Sequence, residues 1–347
     1  MLPNSDFFML YSNCIPVKGA KRSIICDLQL SRYKFIPNLL VDILKESRNY
    51  TVPDLKKKFG NSYDDGIDNF FSSLEADGWG FFTSIPQQFE ELDLTWEFPG
   101  IISNAIIDIG DEVRIDFKDI ISQLSDLGCD GLQVRIFGVR DLSFFKELSG
   151  ILYSSNIQYC EFYVRDTDLL ALPEVEAMLK KYKKTRLFCM YSSSQERVIQ
   201  VKESKSLILY ALDNVVSSDC CGIIHKGYFQ PDIQFFTEAQ TFNSCLNRKI
   251  AIDQEGYIKN CPSTPVRYGH ASQVRLESVI SDSFSSYWFI NKDQIEVCKD
   301  CEFRYICSDC RAFTKDPANI YSKPLKCSYD PYKAVWEADK VLSPELT

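Results

Sequence analysis

Histidine is almost missing from this chain: His225 and His270 are the only two in 347 residues. Catalytic zinc and nucleophilic triads both lean on imidazole, so a supply this small argues against histidine-built metal catalysis and against Ser-His-Asp chemistry. No Gly-x-x-x-x-Gly-Lys-Ser/Thr loop occurs, so nucleotide hydrolysis would belong to a partner. No apolar run approaches the ~20 residues of a membrane span. The opening Met1-Leu-Pro-Asn-Ser-Asp6 has neither the basic flank nor the apolar centre of a signal, which predicts a cytoplasmic protein without a membrane role. Positive charge is in deficit, 39 Lys and Arg against 48 Asp and Glu for a net −9. That balance argues against a nucleic acid held by bulk electrostatics. Glu112, Asp116 and Asp130 supply carboxylates without the spacing that marks an acid–base pair.

Cysteine, by contrast, is plentiful, with fourteen in the chain. In a reducing compartment these are metal ligands and small core residues rather than disulfides. Seven fall into a pattern: Cys245, ten residues, Gly256, four residues, Cys261; a gap; Cys298-x2-Cys301-x5-Cys307-x2-Cys310; a gap; Cys327. A tight turn aims both thiolates of a C-x-x-C pair at one centre, as a soft metal or an iron–sulfur cluster requires. Tetrahedral zinc accepts the same donors and is the alternative. Cys14, Cys26, Cys129, Cys160 and Cys189 lie in or beside apolar strands, where a free thiol behaves as a small hydrophobe. Cys220 and Cys221 stand apart in polar Ser217-Ser-Asp-Cys-Cys-Gly222, as a reactive thiol or an eighth ligand.

Hydrophobic periodicity divides the chain into three stretches. Residues 7–17 and 22–29 read as a hairpin about Lys18-Gly-Ala-Lys21, with a further strand at Tyr33-Lys-Phe-Ile36. Helical spacing follows in Leu39, Leu40, Ile43 and Leu44, after a Thr51 cap in Leu55 and Phe59, and in Ile67, Phe70, Phe71 and Leu74. Gly78-Trp-Gly-Phe-Phe82 closes this unit as a wing, which predicts a winged-helix module with its own closed core. Lys56, Lys57 and Lys58 read as a solvated helix face. Residues 91–103, with Trp96, Pro99 and Gly100, form a linker. Strands at 104–109, 131–137, 159–164 and 186–191 then alternate with helices at 117–127, 142–153 and 173–182, the arithmetic of a partial parallel barrel. Residues 207–212 and 222–225 are expected to add strands.

The cysteine pattern, together with Gly269-His-Ala-Ser272, Leu276-Glu-Ser-Val-Ile280 and Ser283-Phe-Ser-Ser-Tyr-Trp288, resembles the SPASM domain of radical-SAM peptide-modifying enzymes over residues 243–330. That family's last doublet is usually C-x3-C, whereas two residues separate Cys307 from Cys310 here. The resemblance implies two [4Fe-4S] clusters: an inner one on Cys245, Cys261 and Cys310, an outer one on Cys298, Cys301, Cys307 and Cys327. Seven cysteines fall one short of eight ligands. The alternating stretch resembles the radical-SAM partial barrel, but no C-x3-C-x2-C follows Ile109, and Phe137-Gly-Val-Arg140 stands where that family has Gly-Gly-Glu-Pro. Radical chemistry on S-adenosylmethionine is therefore not expected.

Cys14-Ile-Pro-Val-Lys-Gly19, Arg22-Ser-Ile-Ile-Cys-Asp-Leu-Gln29 and Tyr33-Lys-Phe-Ile-Pro37 further resemble the SPASM-domain peptide maturases of grasp-with-spasm systems. This implies a role in maturing a ribosomally synthesised, post-translationally modified peptide, with the precursor's leader and an ATP-grasp ligase as partners. The organisation expected is α/β: residues 1–90 a winged-helix leader-recognition module, 91–235 a degenerate radical-SAM-like partial barrel, 236–347 the cysteine-rich SPASM domain. As an enzyme the protein would use a cluster with an open iron on the precursor. The alternative is a non-catalytic adaptor whose zinc or iron–sulfur sites shape a peptide groove. The N-terminal module is expected to fold alone and to take the leader as an added strand rather than bind duplex DNA.

Overall fold

The structure, a computed structural model, describes residues 6–111, 115–215 and 217–337. Glu112 and the tail beyond 337 lie outside the described residues.

The first stretch is built from β1 (Phe7–Leu10), β2 (Cys14–Val17), β3 (Ser23–Asp27), β4 (Arg32–Ile36), α1 (Asn38–Glu46), α2 (Val52–Lys58), α3 (Asp64–Ala76) and β5 (Gly80–Thr83). Local signals start α2: the Thr51 hydroxyl accepts from the Asp54 amide and Pro53 sits in the first turn, where no N–H partner is lost. Residues 7–17 are two strands rather than one. β1 pairs with β5 antiparallel, while β2 pairs with β3 in the hairpin, and a turn at Tyr11–Asn13 separates them. Phe8 stacks on Phe71 at 4.1 Å between ring centroids, which anchors β1 to α3.

The β2-β3-β4 sheet is buried on both faces. Cys14, Ile25 and Ile36 face the helices, whereas Val17, Ile24, Cys26 and Leu28 face Phe236, Phe303, Ile306 and Tyr329 of the cysteine-rich region. Residues 1–90 do close a core of their own between the sheet and the helices, but the opposite sheet face is covered from outside: every residue of β3 is buried, and two of its five, Ile24 and Cys26, pack against chain about 200 residues or more away.

The middle stretch alternates β6 (Asn104–Ile109), α4 (Phe117–Asp126), β7 (Gly131–Ile136), α5 (Leu142–Tyr153), β8 (Tyr159–Arg165), α6 (Leu172–Lys181), β9 (Thr185–Tyr191), β10 (Arg197–Gln200) and β11 (Leu207–Tyr210). Asp116 and Asp141 cap α4 and α5 by accepting from the third amide of each helix, so Asp116 is a structural carboxylate. After α7 (Ile233–Thr241) come β12 (Lys249–Ile252) and β13 (Ile258–Lys259). Among the described residues the large sheet runs β10-β11-β9-β8-β7-β6-β12-β13, parallel from β11 to β12 and antiparallel at both ends. The protein is thus mixed α/β around a large, mostly parallel sheet. β12 extends it from the cysteine-rich side, and residues 222–225 form no strand; Gly222 has φ +84° and opens a loop.

Period-two alternation gives this sheet two unlike faces. Ala105, Ile107, Val134, Phe162, Phe188 and Ile250 point into the helix-covered core. Asp108, Arg135, Glu161, Tyr163 and Lys249 occupy the other parity. Parallel sheets are normally apolar on both faces, so the polar face is the unusual one.

Candidate metal centre

Five thiols belong to the core. Cys14, Cys26, Cys129, Cys160 and Cys189 are all buried, and burial pushes Cys14 and Cys129 up to about 12 and Cys189 up to about 11. Buried in or beside apolar strands, they act as small hydrophobes.

The structure gathers Cys298, Cys301, Cys307 and Cys327 around one small pocket, with Phe229, Phe303, Trp336 and Lys292 in its wall. Val297 reaches φ +67° in a three-residue turn closed by the Cys298 amide on the Glu296 carbonyl at 2.7 Å. A β-branched residue is strained there, next to Cys298. Lys292 is buried and donates from Nζ to Cys307 Sγ at 3.1 Å. Burial disfavours its charge, but Cys307, Cys298 and Asp309 more than offset that and hold its pKa above the ordinary lysine value. Burial pushes Cys298 up to about 12 and also raises Cys301 and Cys307.

Cys310 does not line that pocket. Cys245, in the turn after α7, lies within electrostatic reach of it and of Cys261, after β13. Burial raises all three thiols, Cys261 to about 12 and Cys310 to about 11, and the charge of Cys245 raises both others. Lys249 at the head of β12 repeats the lysine motif, donating to Cys245 Sγ at 3.6 Å. Gly256, the glycine of the Cys245–Cys261 spacing, has φ +85°, and a Cβ there would lie 2.4 Å from His270 Nε2. His270 bonds to Ser272 Oγ and the Glu255 carbonyl, and His225 Nδ1 accepts from the Gly227 amide, so both histidines hold loops.

A buried network joins the two sets. Asn243 accepts from the Cys245 and Leu246 amides at 3.1 and 2.9 Å and donates to Asp309 Oδ2 at 2.7 Å. Asp309, between Cys307 and Cys310, takes a bidentate pair from Arg311 at 2.6 and 2.8 Å. Arg311 donates on to the carbonyls of Ile320 and Ser322, both at 2.8 Å. Sequence reasoning missed Lys249, Lys292, Asn243, Asp309 and Arg311. Only the acid–base pair flanking Cys310 carried a local signal.

On the polar sheet face Arg135 donates to both Asp108 oxygens at 2.7 and 2.8 Å, with both side chains buried. Burial raises the Asp108 carboxyl against the pull of Arg135. Beyond the strand ends, Arg140 bonds the Gly110 carbonyl at 2.7 Å, tying the β6 and β7 loops together. Asp130 is exposed and joins neither group.

Neither a protein-family model nor a curated protein sequence matches the chain. Among the solved structures that overlay it weakly are three of one protein. That protein is Streptococcus suis SuiB. Its S-adenosylmethionine-bound structure aligns over 88% of this chain and 96% of that one, at 10% identity and TM-score 0.37. SuiB alone aligns over 89% and 95% at 10% identity and TM-score 0.36. The form bound to precursor peptide SuiA gives 88% and 96%, 9% identity and TM-score 0.29. Overlays this loose carry no argument about the present chain.

Proposed function

We propose that this chain is a SPASM-type maturation protein that binds a ribosomally made precursor peptide, carries cysteine-ligated iron–sulfur clusters and works beside an ATP-grasp ligase, without S-adenosylmethionine chemistry. The observation that carries the reading is the pair of thiol sets, each with a lysine ammonium on one sulfur. Thiolates suit a soft centre, and buried ammonium groups offset the negative charge that four thiolates impose on a cluster. Zinc would need four sulfurs at about 2.3 Å from one point. Cys298, Cys301, Cys307 and Cys327 line one pocket. The seven-cysteine order supports clusters over the zinc alternative.

When bound, such clusters accept and release single electrons or bind substrate at an open iron. The chain's own residues do the rest. Phe229, Phe303 and Trp336 exclude water from the outer site, and the Asn243–Asp309–Arg311 network fixes the thiols of both sets. The absence of cysteine between Gly110 and Asp116, and Arg140 in place of an acidic glycine-rich loop, support the loss of S-adenosylmethionine cleavage.

For the leader, β2 and β4 are the edges of their three-stranded sheet among the described residues, the arrangement that strand addition uses. Lys56 and Lys58 are committed to Asp68 and Glu46, so the lysine run is no free basic patch for DNA. Anaerobic purification with iron, sulfide and visible-absorption assays tests the metal. A colourless protein with stoichiometric zinc ends the cluster reading. Mass spectrometry of precursor peptide incubated with this protein, with and without the ligase, then separates enzyme from adaptor, since a mass change without the ligase refutes the adaptor.

A further inference from the structure

The inner set as patterned in the sequence has three thiols, Cys245, Cys261 and Cys310, and cubane clusters commonly take four. The segment running from Ser217 to Ile224 lies across it. At one end Ser263 Oγ, two residues from Cys261, donates to the Ser218 carbonyl at 3.2 Å. At the other end Lys326, beside Cys327, donates from Nζ to the Cys221 carbonyl at 2.7 Å and also bonds the Asp219 carbonyl, while its own carbonyl accepts from the Ile224 amide at 3.3 Å. Between these anchors Gly222 passes so close to Cys310 that a Cβ on it would lie 2.8 Å from the Cys310 sulfur. With φ +84° and no side chain, Gly222 lets the backbone reach the thiol set where any other residue would hold it off.

We propose that Cys221 is the fourth thiol of the inner set and closes it from the solvent side. The proposal rests on the cluster reading given above. Cys221 is exposed, as a group at the open side of three enclosed sulfurs must be. It lies within electrostatic reach of Cys245, Cys261, Cys310 and Lys249. Cys220 is turned elsewhere, its Sγ directed to the Asn214 carbonyl at 3.8 Å. With Cys221 in place each set has four thiols, Cys221, Cys245, Cys261 and Cys310 in one and Cys298, Cys301, Cys307 and Cys327 in the other. Neither then leaves an iron without a protein ligand, so the inner cluster serves as an electron carrier or brace and does not hold substrate at an open iron.

The test compares full-length wild type, Cys221→Ala, Cys221→Ser and Cys220→Ala, all purified anaerobically, for iron and sulfide content and for the electron paramagnetic resonance of the reduced clusters with and without cyanide. Wild type and Cys220→Ala are expected to hold two clusters with spectra insensitive to cyanide. Cys221→Ala is expected to lose iron from one cluster or to gain a cyanide-dependent signal, and Cys221→Ser to shift that cluster's g values. Thermal unfolding followed by circular dichroism shows whether each variant folds. Should Cys221→Ala fail, Cys221→Ser carries the comparison alone. Two clusters in wild type with both Cys221 variants unchanged in iron content, spectrum and cyanide response overturn the assignment and leave the cluster reading standing. A wild type with no iron overturns both.

Discussion

Lys292 and Lys249 place an ammonium against one sulfur of each thiol set, at 3.1 and 3.6 Å. Hydrogen bonds and positive charge at a cluster sulfur favour its reduced form. Lys292→Met is therefore expected to make the outer cluster harder to reduce, read as a more negative midpoint in a redox titration followed by electron paramagnetic resonance; an unchanged midpoint would detach Lys292 from that site. Asp309 carries a different load, since its carboxylate is the ion-pair partner of the buried Arg311 guanidinium. Breaking one partner of such a pair costs about 3–5 kcal/mol. Asp309→Ala should lose stability of that order in urea denaturation and release Asn243 from its side-chain acceptor; a loss under about 1 kcal/mol would make the pair a surface-like one.

Among the elements, the β3–β4 connection is pinned by Asp27, which accepts from Asn13 Nδ2 at 2.7 Å, Leu30 N at 3.0 Å and Arg32 Nε at 3.0 Å. Burial acts to raise this carboxyl, but the Leu30 amide, the Arg32 guanidinium, the Gln29 amide and Asn13 together hold it below the usual aspartate value. A group depressed in the folded state contributes stability above its unfolded pKa, and the contribution disappears as pH falls through the folded value. Acid titration of unfolding should therefore show a loss of stability below about pH 4 that Asp27→Asn removes; identical acid limbs would discount it. The β2–β3 turn is just as constrained. Ala20 N donates to the Asp300 carbonyl at 2.7 Å, Arg22 pairs with Glu302 at 2.8 Å, and a Cβ on Gly19 would lie 2.8 Å from the Glu302 amide. The turn thus rests on the Cys298–Cys301 loop. Gly19→Ala is expected to cost about 1–3 kcal/mol by overpacking and to speed loss of iron from the outer site to a chelator, with wild-type release kinetics as the contrary result.

At the scale of the whole molecule, the N-terminal sheet is the middle layer between its own helices and the cysteine-rich region. Cut after residue 90, the chain would expose Val17, Ile24, Cys26 and Leu28, with about 1.5–3 kcal/mol lost for each large aliphatic side chain returned to water. The fragment is expected to aggregate or to show weak near-ultraviolet circular dichroism, while the full chain gives a cooperative transition. A monomeric fragment that unfolds cooperatively would show that the module closes without its neighbour. The same layering makes the leader-binding experiment one for the full chain. It also gives a physical route by which a peptide on the β2-β3-β4 sheet would act on the Cys298–Cys301 loop.

Local chemistry made much of this legible in advance. Apolar spacing in Leu40, Ile43 and Leu44 and in Ile67, Phe71 and Leu74 depends only on helical period, and those residues are buried, while Leu39 and Phe70 of the same pattern are half-buried and exposed and Val41 is buried outside it. The β6 to β9 alternation with helices was readable because each strand and its helix are neighbours in sequence. The Cys298–Cys301 turn was readable because a turn is a property of four consecutive residues, whereas Cys307 and Cys310 form no such turn and of the two only Cys307 lines the outer pocket. What sequence could not decide were pairings made across the chain: β1 with β5, β12 with β6, and the β3 face with Phe303 and Tyr329. Backbone pairing leaves no side-chain signature, and a strand buried on both faces looks the same whatever covers it. Lys292 meets Cys307, and Gly222 meets Cys310, only because distant loops fold onto one another, so their charges and contacts exist in the tertiary structure alone.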